Sequence, residues 1–107
     1  MSAISTKFLN CKEQGIDFNY GTTTSSNTLY LNGCTLSNNT ISGLHITAGK
    51  FFSAITIVNC SFNSNVQRGI NTDDLRGTTL FYLANSVMSS NGGTAMFLNC
   101  NGASAEF

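Results

Sequence analysis

The sequence predicts an all-β fold, a single-stranded parallel β-helix (solenoid) of about four coils with a 26-residue repeat. Three observations lead there. First, like residues recur at a step of 26: Cys34, Cys60 and Ser86; Asn39, Asn65 and Asn91; Leu44, Ile70 and Met96; Leu31, Ile57 and Leu83; Leu36, Phe62 and Met88. Second, apolar residues inside each unit alternate, as in Leu29 and Leu31, Ile55 and Ile57, Phe81 and Leu83, which is the period of a strand with one face turned inward. Third, no apolar run follows helical spacing. A unit too short to bury its own apolar face does so by stacking on its copies, each strand pairing with its counterpart one repeat later.

Taken in chain order, the segment Phe8-Leu9-Asn10-Cys11 aligns with the strand that ends in the Cys column, and Gly15-Ile16-Asp17-Phe18 with the piece after a bend. On that alignment Cys11 stacks with Cys34 and Cys60, and the first bend is five residues shorter than the others, being 4 residues from Cys11 to Gly15 against 9 from Cys34 to Gly43. A longer connection, Gly21 to Asn27, absorbs the difference. The second unit has strands around Leu29–Leu31 and Leu36, a polar bend with Asn39 and Gly43, and a further strand, Leu44-His45-Ile46. The third and fourth repeat this plan, with Ile70-Asn71-Thr72 and Met96-Phe97-Leu98 as the strands after Gly69 and Ala95. Asn39, Asn65 and Asn91 are expected to take left-handed backbone at the bend and to bond their amides from coil to coil.

The phrase Thr56-Ile57-Val58-Asn59-Cys60-Ser61-Phe62-Asn63-Ser64-Asn65, followed by Gly69-Ile70, resembles the repeat of pectin-lyase-like proteins. That superfamily includes pectate lyases, polygalacturonases and bacteriophage tailspike or tail-fibre proteins. Cys11 to Phe18 and the Asn-rich loops are closest to the phage members. The resemblance covers nearly the whole chain and implies right-handed winding. It specifies the scaffold far better than an activity, because members carry different catalytic residues on the same coils.

Composition narrows the function classes. The 107 residues are 41% hydrophobic and 9% charged, with no Pro or Trp and a net charge of zero. Five basic residues scattered among five acidic ones give neither a phosphate-backbone footprint nor an attraction to anionic lipid, so neither nucleic acid nor membrane is expected as a partner. The start, Met1 to Lys7, lacks the basic and apolar pattern of a secretion signal. The chain reads as a single segment, residues 1–107, with strand edges open at both ends. Neither end carries an evident cap, so the expectation is a piece of a longer chain or a protomer of an oligomer such as a trimer.

The candidate chemistry is sparse. The cysteines are expected as free core thiols, with Cys100 off the column, and the absence of a Cys-x-x-Cys pair together with a single His argues against a structural zinc site. No cofactor is implied. Asn38 and Asn59 open Asn-x-Ser/Thr triplets that such a composition produces by chance, and they are assigned no glycan. Asn71-Thr72-Asp73-Asp74 resembles the Asn-Thr-Asp signature of polygalacturonases, which makes Asp73 and Asp74 the catalytic candidates. Glycoside cleavage needs two carboxylates across the scissile bond, and these two are consecutive. The Gly-His-Gly and Arg-Ile-Lys motifs of that family are absent, and the neighbouring columns hold Thr47 and Asn99. A solvated loop with Arg76 nearby is the bland reading.

Carbohydrate binding has the better case. Asp17, His45, Asn71 and Phe97 share one outward column by repeat phase, and Tyr30, Thr56 and Tyr82 share another. The two tyrosines stand about 10 Å apart by strand spacing, which suits stacking on successive rings of an oligosaccharide, and they are expected to carry most of the affinity. The two stripes, Tyr30 and Tyr82 in one and Asp17, His45 and Asn71 in the other, are therefore the expected glycan-binding residues, on a tailspike-like shaft found on a virion or outside the cell. A fragment of a polysaccharide-degrading lyase or hydrolase is the alternative. An ice-binding solenoid ranks third, because Tyr30 and Tyr82 interrupt the flat threonine array that ice recognition needs.

Overall fold

A computed structural model of the chain describes residues 1–18, 27–47, 50–76, 80–101 and 104–106. Its strands are β1 (Ser2–Ile4), β2 (Lys7–Leu9), β3 (Ile16–Phe18), β4 (Asn27–Asn32), β5 (Thr35–Ser37), β6 (Ser42–Ile46), β7 (Lys50–Val58), β8 (Ser61–Asn63), β9 (Arg68–Arg76), β10 (Leu80–Ala84), β11 (Val87–Ser89), β12 (Met96–Asn101) and β13 (Ser104–Glu106). Three strands make a coil. The strands β1, β4, β7, β10 and β13 stack in parallel as a first sheet. A second sheet is formed by β2, β5, β8 and β11, and a third by β3, β6, β9 and β12. The first and third meet where Lys50 and Phe51 of β7 pair with Leu75 and Arg76 of β9. The chain is thus a parallel β-solenoid of four coils, with β13 opening a fifth.

The 26-residue step relates the second, third and fourth coils, as in Leu31 against Ile57 and Ile57 against Leu83. Inward residues of all three sheets fill one core. Leu31, Ile57, Leu36 and Phe62 are fully buried, whereas Leu83 and Met88, their counterparts in the last coil, are only partly covered. Phe18 and Phe52 close one corner edge-to-face, with centroids 5.3 Å apart.

The first coil corrects the alignment drawn from the cysteines. Its step is 28 throughout, from Ser2 against Tyr30, through Lys7 against Thr35, to Ile16 against Leu44. The first bend therefore has full length, and the two extra residues fall between Phe18 and β4. The expected long connection, residues 21–26, lies outside the described residues, as do the side chains of Arg76 and Cys100. Cys11 belongs to the Asn column, where its N–H donates to Asn39 Oδ1 at 3.0 Å. Thr6 takes the first place in the Cys column. Thr6, Cys34, Cys60 and Ser86 each donate to the carbonyl two residues back, at 3.0, 3.6, 3.2 and 2.9 Å respectively. The column selects a short side chain with a donor, and a hydroxyl serves as well as a thiol. Cys11, Cys34 and Cys60 are free thiols.

The bends are made by two further columns. Ser5, Gly33, Asn59 and Asn85 occupy one, and Asn10, Asn38, Ser64 and Ser90 the other, all with φ between 48° and 65°. The left-handed residue at the second bend is thus the one before the Asn39, Asn65 and Asn91 column, contrary to expectation. It faces solvent and leaves the next Asn free to turn inward. Asn39 and Asn65 are buried and bonded without gaps: Asn65 Nδ2 donates to Leu36 O at 3.0 Å and to Asn91 Oδ1 at 3.0 Å, while Asn65 Oδ1 accepts from Asn39 N at 3.1 Å and Asn39 Nδ2 at 2.9 Å.

Where the third sheet begins, coils approach too closely for a side chain. A Cβ on Gly43 would lie 2.7 Å from the Gly69 carbonyl oxygen, and one on Gly69 would lie 2.7 Å from that of Ala95. In the fourth coil the same place is taken by Ala95, which does carry a Cβ.

Candidate functional site

The outer face of the third sheet gathers most of the candidate side chains. Ile16 and Phe18, Leu44 and Ile46, Ile70 and Thr72, and Met96 and Leu98 turn inward, so the residues between them must point out. Pairing then sets Asp17 against His45, His45 against Asn71, and Asn71 against Phe97. The expected stripe exists.

Its bonding reaches beyond the column. His45 Nδ1 lies 3.0 Å from Asp17 Oδ1, and His45 Nε2 lies 2.9 Å from Asp73 Oδ2. One imidazole thus joins carboxylates of the first and third coils, with Gln14 Nε2 also 3.5 Å from Nδ1. Either ring nitrogen can donate to the carboxylate it faces according to the tautomer, and only a doubly protonated ring donates to both. His45 is the most enclosed of the three, with 16% of its side chain exposed against 34% for Asp17 and 44% for Asp73.

Asp73 is aimed by an irregularity. Thr72 pairs with Leu98 and Leu75 pairs with Cys100, which leaves Asp73 and Asp74 together opposite Asn99 in a β-bulge. Asn99 accommodates it, its N–H donating to Thr72 Oγ1 at 3.0 Å and its amide to the Asp73 carbonyl. Asp73 Oδ1 accepts from Asn71 Nδ2 at 3.1 Å, and Asn71 Oδ1 accepts from Arg68 Nη1 at 2.7 Å. The Arg68 guanidinium also lies over the Phe97 ring, 4.7 Å from its centroid. Beside it a cleft of about 340 Å³ is lined by Val66, Gln67, Arg68, Gly92, Gly93 and Thr94. Among the described residues, no group of three His, Cys, Asp or Glu side chains could hold a metal ion.

The tyrosines lie elsewhere. Tyr30, Thr56 and Tyr82 are aligned as expected, but on the first sheet. Both residues are 37% exposed, and the Tyr30 hydroxyl accepts from Asn32 Nδ2 at 3.0 Å. The two stripes expected to bind glycan thus lie on different sheets, Tyr30 and Tyr82 on the first and Asp17, His45 and Asn71 on the third. Asp73 joins the His45 network with both oxygens bonded, while Asp74 is half-buried beside it on the bulge. The sequence reading passed over Arg68 and Gln14. The signal for Arg68 was available, since it is the charged residue that leads into the third strand where the previous coil has Ser42.

Comparison with protein-family models, curated proteins and solved structures found no match. What is shown is the parallel β-solenoid architecture, not membership in the pectin-lyase-like superfamily.

Proposed function

We infer that this chain is a rigid solenoid segment of the tailspike kind that binds a surface polysaccharide. One observation carries the reading: a hydrogen-bonded run of amide, carboxylate, imidazole and guanidinium groups crosses successive coils on one outer face and ends at an aromatic ring. Sugars present hydroxyl edges and weakly apolar faces, so such a run supplies donors and acceptors already fixed in place, and fixed groups lose little entropy on binding. The rows on the first sheet, with Tyr30 and Tyr82, offer a second surface of the stacking type.

The test is a panel of bacterial surface polysaccharides presented to the wild type, Asn71→Ala and a Tyr30→Ala, Tyr82→Ala double variant. Binding by the wild type should weaken by roughly 1 kcal/mol or more where a contacting aromatic or a bonded amide is removed. Loss in Asn71→Ala alone assigns the third sheet, and loss in the double variant alone assigns the first. Unchanged signals in both leave only a shaft.

The enzymatic alternative has one observation in its favour. Asp17 and Asp73 both converge on His45, which provides the second carboxylate that Asp74 does not. Release of reducing ends from a polysaccharide by the wild type, abolished in Asp73→Asn, would reverse the assignment in favour of catalysis.

A further inference from the structure

We propose that the cleft beside Arg68 is a subsite for an oxyanion, the carboxylate of an acidic sugar unit, within the glycan-binding face inferred above, on which reading the choice of a sugar depends. Arg68 is half-buried and held from two sides, by Asn71 Oδ1 at 2.7 Å and by the Phe97 ring at 4.7 Å. Asn71 takes one N–H of the guanidinium, and among the described residues no second acceptor bonds to it. Asn71 also stands between Arg68 and the nearest acid of the network. Its Oδ1 faces Arg68 while its Nδ2 faces Asp73, and Asp73 in turn faces His45, so among the described residues no carboxylate forms an ion pair with Arg68. A fixed cation with no counter-ion among the described residues, at the rim of a cleft, favours an anionic ligand. The planar fork matches two coplanar oxygens. Gln67 and Thr94 line the same cleft and bring an amide and a hydroxyl for the ring hydroxyls of the sugar that bears the carboxylate.

The full chain, labelled with nitrogen-15, is titrated with sodium glucuronate, glucose, sodium sulfate and inorganic phosphate while the backbone amides of Gly92, Gly93 and Thr94 are followed. Glucuronate should move these signals and glucose should not. Arg68→Gln and Asn71→Asp should each weaken the glucuronate response by about tenfold, the first by removing the donors and the second by giving Arg68 an internal carboxylate. Asn71→Asp keeps the guanidinium and its packing on Phe97 but sets a second carboxylate against Asp73, so a native-like amide spectrum of each variant separates loss of the site from loss of folding. Glucuronate that leaves the three amides unmoved, or moves them equally in Arg68→Gln, overturns the subsite. A stronger response to sulfate or phosphate overturns the carboxylate in favour of an ester. Matched neutral and carboxylate-bearing oligosaccharides separate the two readings. If both bind and Arg68→Gln makes no difference, the subsite falls and the glycan face stands. If neither binds while free glucuronate still moves Thr94, the glycan reading falls and the anion site stands.

Discussion

Asn65 engages two other coils through one buried amide. Its removal leaves Leu36 O and Asn39 N without their partners inside the protein, and buried polar groups left unpaired are worth about 1–3 kcal/mol each. Asn65→Ala is therefore expected to lower the urea midpoint by an amount equivalent to about 3 kcal/mol, against little change for Ser64→Ala on the exposed residue beside it. The thiols give a second expectation. Burial pushes the Cys60 thiol up from its ordinary value, and Cys34 is equally enclosed, while Cys11 is partly open. Native-state alkylation followed by peptide mapping should find Cys11 modified first and Cys34 and Cys60 only after denaturation. Without reductant, the denatured chain should show all four cysteines alkylated. The column of asparagines was legible because like amides recur at one step. The assignment of Cys11 was not, because identity of residue type outweighed register, and a threonine meets the same hydrogen-bonding need.

At the scale of the element, β9 decides what the third sheet presents. Its outward residues were readable from alternation, and so was the row Asp17, His45, Asn71 and Phe97. The contact between His45 and Asp73 was not readable, because it runs diagonally to a residue two places further along the neighbouring strand and depends on a bulge that repeat phase does not announce. His45 ties β3, β6 and β9 together at a largely solvated face, where ion pairs are worth about 0.2–1 kcal/mol each. His45→Ala should thus lower the stability measured by thermal melting by roughly 1 kcal/mol, and added salt should narrow the gap to the wild type. A much larger loss, insensitive to salt, would mean that the ring serves mainly as packing.

For the whole molecule, the strand pairing among the described residues joins each coil to the next at about one repeat, so order has to propagate along the stack. An unpaired charge in the middle of the core has nowhere to relax. Ile57→Asp is expected to abolish cooperative melting altogether, and a soluble variant with a sharp transition would contradict the buried row that Leu31 and Ile57 share. The 26-residue step made this architecture visible because core columns tolerate no drift. The function was far less visible, since it depends on which side chains two separate faces present and on how those side chains bond to one another.

The methyl group of Ala95 bears on how such a chain grows by duplication. A new unit copied between the second and third coils would meet glycine on both sides and fit without adjustment. The same unit added after the fourth, in the same phase, would bring a carbonyl oxygen to about 2.7 Å from that methyl, closer than real Cβ contacts allow. Lengthening at that end therefore requires Ala95→Gly or a change of phase, and β13, which pairs with β10 at a step of 24, already departs from the repeat.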